Sequence, residues 1–159
     1  MSEILHKLLK KYDEPARDTT IKYIEGSYSN VDKYGVDILI NNKENTFDKI
    51  EVQTLAYKTF IDNFRLLTIF KRKDRYDTKT IYITYNYNYS KCFIFCRCQL
   101  SKNKMSEINA RYSIHKEDKI YFLYKNEVLY IDNINNNTLN IDVLNNFFVK
   151  INDENDEDD

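Results

Sequence analysis

The spacing of apolar positions changes several times along the chain, and each change marks a predicted element. Ile4, Leu5, Leu8 and Leu9 recur at helical spacing behind Ser2, a capping residue, so residues 2–11 are predicted to form an amphipathic helix ending on Lys10 and Lys11. Asp13, Glu14 and Pro15 read as a second helix start, and Gly26 stands where that helix must stop, with Ile21 and Ile24 facing the core. Residues 27–33 are polar and expected to be a loop. Residues 36–40 and 47–53 are predicted strands, and the polar stretch 41–45 makes a hairpin their simplest connection. Residues 54–64 are expected to be helical, 66–70 a strand, 71–77 a charged loop, and 80–87 and 92–100 two further strands. Residues 101–114 suit a loop with a short helix over 105–110. A second hairpin is predicted from 120–124 and 128–131 across Lys125, Asn126 and Glu127. Leu139, Val143, Leu144 and Phe147 keep helical phase in a closing helix over 138–148.

This order predicts an α/β fold, a mixed β-sheet flanked by helices, in one domain spanning residues 1–151. At 159 residues the chain is long enough to bury a core without a metal or disulfide to hold it. Residues 152–159 carry six acids and no base and are expected to form a disordered acidic tail. The formal net charge is −1, so without those six acids the remainder carries +5. That balance suits either a polyanion ligand or an ordinary solvated surface. Fourteen Tyr, two Gly and no Trp are unusual usage, of a kind that AT-rich codons produce in a microbe or a large DNA virus. With two Gly a phosphate-cradling loop is nearly excluded, and no P-loop, dinucleotide fingerprint or zinc-protease motif is present.

No stretch reaches the ~20 apolar residues of a membrane span, and no signal peptide opens the chain, so no membrane partner and a cytoplasmic or nuclear location are expected. Cys92, Cys96 and Cys98 are an odd number on one apolar segment and read as buried, reduced thiols.

The candidate chemistry lies on the first predicted hairpin. Asp37 and Glu51 each sit inside an apolar strand, where a carboxylate is costly unless paired, hydrogen-bonded or metal-bound. Alternation along a strand puts Glu51 and Gln53 on one face and Ile50 and Val52 on the other. The hairpin brings the two acids together, where they could share a hard divalent cation, Mg²⁺ or Mn²⁺, with the Val52 carbonyl as a third ligand and Gln53 orienting a water. The alternative is a pair of edge-strand acids, exposed or salt-bridged to Lys33 or Lys49.

Tyr34, Gly35, Val36 and Asp37, then a turn, then Ile50, Glu51, Val52, Gln53 and a helix, resemble the core of the PD-(D/E)XK nuclease superfamily. The resemblance covers roughly residues 16–87. It implies a restriction-endonuclease-like core of helix, three strands, helix and strand, with Asp37 and Glu51 binding the metal. It also implies an acid from the upstream helix, Asp18 or Glu25, of which Glu25 is nearer the loop to Asp37. The family usually has Lys where this chain has Gln53; Lys58 or Lys73 could substitute.

Lys71, Arg72, Lys73 and Arg75 place four cations in five residues before Tyr76. This is either a solvated loop or, with Arg72, Lys73, Arg75 and Tyr76, a nucleic-acid contact in which Tyr76 stacks on a base. The sequence therefore leads to a metal-dependent nuclease acting on phosphodiesters, with nucleic acid, DNA ahead of RNA, as partner and a homodimer as an allowed assembly. The alternatives are an inactive nuclease-fold module that binds nucleic acid or protein, and a structural or assembly protein.

Overall fold

The computed structural model of the chain describes residues 14–32, 35–55, 66–101, 105–107 and 119–157. The helices expected over 2–11 and 54–64 fall almost wholly outside these residues, and Lys58 falls outside them too. Helix α1 (Glu14–Tyr23) starts with Glu14 and Pro15 in its first turn, where the missing proline N–H costs nothing, and has Lys22 in its last. Gly26 ends it at φ +85°, a backbone state that other residues adopt only with strain. A Cβ there would lie 2.9 Å from the Asn41 carbonyl oxygen, because the turn closes against the end of the second strand.

Three strands follow as an antiparallel meander: β1 (Ser27–Ser29), β2 (Ile38–Ile40) and β3 (Lys49–Thr54). Ser27 lies opposite Ile40, and Ile38 opposite Ile50. The expected hairpin of β2 and β3 is present, whereas β1 occupies a stretch expected to be loop. Its residues are half or fully exposed, so no apolar alternation marks it. β4 (Leu66–Phe70) then belongs to a different sheet, and a 3₁₀ turn, Lys71–Arg75, returns the chain to β5 (Thr80–Tyr85). β5 runs parallel to β3 from Lys49 opposite Thr80 to Thr54 opposite Tyr85. β6 (Cys92–Cys96) pairs antiparallel with β5.

β7 (Met105–Glu107), β8 (Lys119–Tyr124), β9 (Leu129–Ile131) and helix α2 (Ile141–Glu157) complete the chain. The main sheet is six-stranded and mixed, in the order β1, β2, β3, β5, β6, β9, and a second sheet runs β4, β8, β7.

Strand alternation explains the layers. Ile81, Ile83 and Tyr85 of β5 and Cys92, Ile94 and Cys96 of β6 join Ile50 and Val52 in one core with Ala16 and Ile24 from α1 and the turn after it and Leu144, Phe148 and Ile151 from α2. From the opposite face Tyr82, Phe93 and Phe95 pack on Ile69, Tyr121 and Leu123 of the second sheet. Every residue of β5 and β6 is buried, as expected of strands covered on both sides. Each large apolar side chain so enclosed contributes about 1.5–3 kcal/mol relative to exposure.

That second layer overturns the hairpin expected from residues 120–124 and 128–131. β8 pairs with β4 over five positions and with β7, while β9 pairs with β6. Three residues, Lys125–Glu127, wind into a 3₁₀ turn between them, and Tyr121 and Leu123 are buried under the main sheet instead. The helix expected over 105–110 is a strand where it is described, Met105–Glu107. The strand expected over 92–100 stops at Cys96, because Gln99 Oε1 takes the Cys96 N–H at 2.8 Å and closes a 3₁₀ turn over Arg97–Gln99. Cys98 is consequently off the strand and half-buried, while Cys92 and Cys96 are buried, and all three are free thiols.

The closing helix starts three residues later than expected, with the Asn140 side chain capping the Val143 N–H at 2.9 Å. It continues to Glu157, through most of the acidic run expected to be disordered. Among the described residues no helix is long and apolar enough to cross a membrane.

Candidate functional site

Asp37 lies immediately before β2 rather than inside it, and this offset builds the site. The register that sets Ile38 opposite Ile50 would next set Asp37 opposite Glu51. At that point β2 leaves β3 but stays with β1: the Asp37 carbonyl accepts the Asn30 N–H at 3.0 Å, and the Asn30 side chain donates to the Val36 carbonyl at 3.0 Å. The β3 backbone thus loses its partner, and acid side chains continue the pairing. The Val52 N–H donates to Asp37 Oδ2 at 3.0 Å, and the Asp37 N–H donates to Glu51 Oε1 at 3.3 Å.

Glu51 faces away from Ile50 and Val52, toward the side of the sheet carrying Tyr82, which lies opposite it on β5. It is only 8% exposed. This excludes the reading of an exposed edge acid. Lys49 is not its partner either, since that ammonium bridges Asp48 at 2.7 Å and Asp77 at 2.8 Å.

Cations flank the pair on two sides. Arg17 of α1 donates through Nη2 to Asp37 Oδ1 at 2.9 Å. Lys73 of the Lys71–Arg75 turn brings its Nζ to 4.0 Å from Glu51 Oε2. Tyr76 follows the turn, with its phenol near enough to Glu51 to lower that acid's proton affinity. The Arg75 guanidinium covers the Tyr76 ring at 4.8 Å and also donates to its hydroxyl. Behind them Tyr82 stacks on Phe95 at 4.7 Å between centroids and donates to the Lys73 carbonyl, fixing the turn to the sheet.

This environment separates the two acids. Burial pushes the Glu51 carboxyl up, the hydrogen bond and negative charge of Asp37 push it further, and Lys73 and Tyr76 offset only part, leaving it at about 8. For Asp37 burial acts upward too, but hydrogen bonds with Glu51, Arg17 and the Val52 N–H, with the Arg17 charge, outweigh it and hold the carboxyl below its usual range. Near neutral pH the pair therefore carries one proton, resident mainly on Glu51. Paired carboxyls displaced in opposite directions are a recurrent feature of functional sites, and a divalent cation would relieve the repulsion that displaces them.

The donors suit such an ion. Two carboxylates and a strand carbonyl are hard oxygens, and Mg²⁺ binds to one or two carboxylates while keeping several waters. Among the described residues no group of three or more His, Cys, Asp or Glu gathers. An ion held by these two acids alone would keep most of its coordination as water.

Of the expected site residues, Asp37, Glu51, Lys73 and Tyr76 come together, with Arg75 against Tyr76. Gln53 is half-buried two residues along β3, on the Glu51 face. Val52 is joined to Asp37 through its N–H. Glu25 is exposed on the turn between α1 and β1, Asp18 is exposed on α1, and the side chain that α1 directs to Asp37 is Arg17. Arg72 lies in the 3₁₀ turn; its side chain and all of Lys58 are outside the described residues. Arg17 is the member that sequence reasoning missed. Its only signal is its position beside Ala16 and Thr20, the buried stripe of α1. Comparison with known proteins gives no relative, since neither a family model, a curated protein nor a solved structure matches the chain.

Proposed function

We propose that the chain is a nuclease-fold protein in which Asp37 and Glu51 hold Mg²⁺ or Mn²⁺ for hydrolysis of nucleic-acid phosphodiester bonds. The observation that carries this reading is the junction where β2 parts from β3, at which two acids converge on one largely buried corner, Asp37 on the Val52 N–H and Glu51 on the Asp37 N–H. Part of the chain order supports it as well: of the helix, three strands, helix and strand that the PD-(D/E)XK resemblance implies, the first helix, three antiparallel strands and a later strand parallel to the third are present, while the second helix falls outside the described residues and β4 of the other sheet intervenes.

Asp37, Glu51 and the Val52 carbonyl would hold the ion, which when bound supplies an activated water and neutralises charge developing on the phosphate. Gln53 on the same strand face would orient the water as a hydrogen-bond partner, without the charge that Lys brings. Lys73, Arg75 and Arg72 would hold phosphates at the rim, and Tyr76 offers a ring on which a base can stack. The low solvent exposure of Glu51 strengthens the electrostatic contacts made at its own carboxylate.

A second reading, the inactive module of the same fold, is favoured by two observations: Gln53 stands where a Lys is usual, and Arg17 already engages Asp37. Incubation of plasmid DNA, single-stranded DNA and RNA with Mg²⁺ and with Mn²⁺ separates the two. Cleavage by the wild type that is lost in the Asp37→Ala, Glu51→Ala double variant supports the nuclease. Salt-sensitive binding of the same polymers without cleavage supports the module.

A further inference from the structure

The two carboxyls are not left to each other: Asp37 has a cation from α1 and Glu51 has one from the turn after β4. Arg17 Nη2 lies 2.9 Å from Asp37 Oδ1, and the second Asp37 oxygen accepts the Val52 N–H at 3.0 Å. Both oxygens of the acid are therefore engaged before any ion arrives. The Val52 contact comes from the strand backbone and is fixed, whereas the Arg17 contact comes from a flexible side chain that is 39% exposed. Of the two, only the guanidinium can give way without moving the sheet.

Resting on the nuclease-site reading, we infer that Arg17 is a resident cation that competes with the divalent ion for Asp37 and, once displaced, binds a phosphate group of the nucleic acid at the same mouth. A guanidinium and a divalent ion both in contact with Asp37 would repel one another across a partly buried site, so occupancy by one disfavours the other. The displaced head group remains tethered to α1 by its own backbone, between Ala16 and Thr20, both of which are in or against the core. Its planar fork matches two phosphate oxygens, a geometry that a carboxylate and a phosphate share. Lys73 stands on the other side of the pair, 4.0 Å from Glu51, so the two cations bracket the acids where a phosphate would lie. Metal loading and phosphate binding are thereby coupled: a metal-free site holds its own arginine, and a loaded site offers it to the substrate.

The coupling predicts opposite shifts from one substitution. Arg17→Met removes the competitor and the phosphate ligand together. Calorimetric titration of the full chain with Mn²⁺ alone should show about two- to fivefold tighter binding than wild type, the span that a half-exposed ion pair supports. Fluorescence anisotropy of a labelled DNA duplex in Ca²⁺ should show binding weakened by a similar factor. If Arg17→Met does not melt cooperatively, Arg17→Gln, which keeps a donor for Asp37 without the charge, is measured in its place. Wild type that binds Mn²⁺, with a variant that binds it no more tightly or binds the duplex no more weakly, overturns the role of Arg17 and leaves the metal site standing. Absence of Mn²⁺ binding in wild type and variant alike overturns both.

Discussion

The Val52 N–H donates to Asp37 Oδ2 at 3.0 Å, so a side chain completes a sheet that the backbone of its own strand has just left. This bond makes Asp37 part of the fold as well as of the site, and it separates the roles of the two acids. Asp37 is bonded on both oxygens and held below the usual carboxylate range, whereas burial and the neighbouring Asp37 push Glu51 up to about 8.

Stability should depend on that proton. Glu51 is held at about 8 in the folded chain against an ordinary value of 4.5, so between these limits the folded state binds more protons than the unfolded one. The favourable contribution is complete below pH 4.5 and is lost as pH rises toward 8. Glu51→Gln removes the titration, and the variant should exceed wild type in stability on the order of a few kcal/mol at pH 8 and above, with the difference shrinking toward pH 5. Thermal melts across this range measure it. A variant less stable than wild type at every pH would show that an ionised Glu51 holds the fold together.

Lys73 lowers the proton affinity of Glu51 from 4.0 Å away. Lys73→Met should therefore move the Glu51 titration above 8, visible in carbon-detected NMR of glutamate side chains. The same variant should bind nucleic acid less tightly and with a shallower salt dependence, by about 0.9 in the log–log slope for each phosphate that is no longer neutralised. An unchanged slope would remove the Lys71–Arg75 turn from the interface.

Gly26 tests how α1, and with it Arg17, is placed. At φ +85°, with a Cβ position 2.9 Å from the Asn41 carbonyl oxygen, Gly26→Ala combines backbone strain with a backbone clash. The expected loss is about 1–3 kcal/mol, which for a chain of this size lowers the melting temperature by several degrees. A melt equal to that of wild type would contradict the geometry of this turn.

The C-terminal acids should contribute little. Ile151 is the last buried residue described on α2, and the run beyond it sets negative charge against the negative end of the helix. Deleting residues 153–159 should shift the melting temperature by no more than about 2 °C. A larger loss would show that the run docks on the body.

Elements with a local signal were legible in the sequence. Pro15 and Gly26 bracket α1, and the pairing of β2 with β3 follows from two apolar runs around a polar turn. Strand alternation alone places Glu51 on the face opposite Ile50 and Val52. What failed was non-local. Residues 120–124 and 128–131 are separated by three residues and look like a hairpin, yet β8 gains more by burying Tyr121 and Leu123 beneath Phe93 and Phe95. Met105 and its neighbours carry no alternation and become a strand only because β8 offers an edge. Gln99 ends β6 through a side-chain bond that no periodicity encodes. In the site, Glu51 is legible as a charge inside an apolar strand and Asp37 as a charge beside an apolar run, although β2 starts one residue after it, whereas Arg17 reaches Asp37 only through the docking of α1, which the chain order alone does not determine.

The proposed hydrolysis requires Asp37 and Glu51 to take a divalent ion together. Calorimetric titration with Mn²⁺ at pH 6, 7 and 8, repeated in buffers of different ionisation enthalpy, tests this most directly. One ion per chain is expected, with close to one proton released below pH 8 as Glu51 ionises, and an affinity that rises by about tenfold per pH unit until that carboxyl is deprotonated. The heat should vanish in Glu51→Gln while its fold persists. No heat at millimolar Mn²⁺, or binding that survives in Glu51→Gln, would rule out a metal site shared by Asp37 and Glu51.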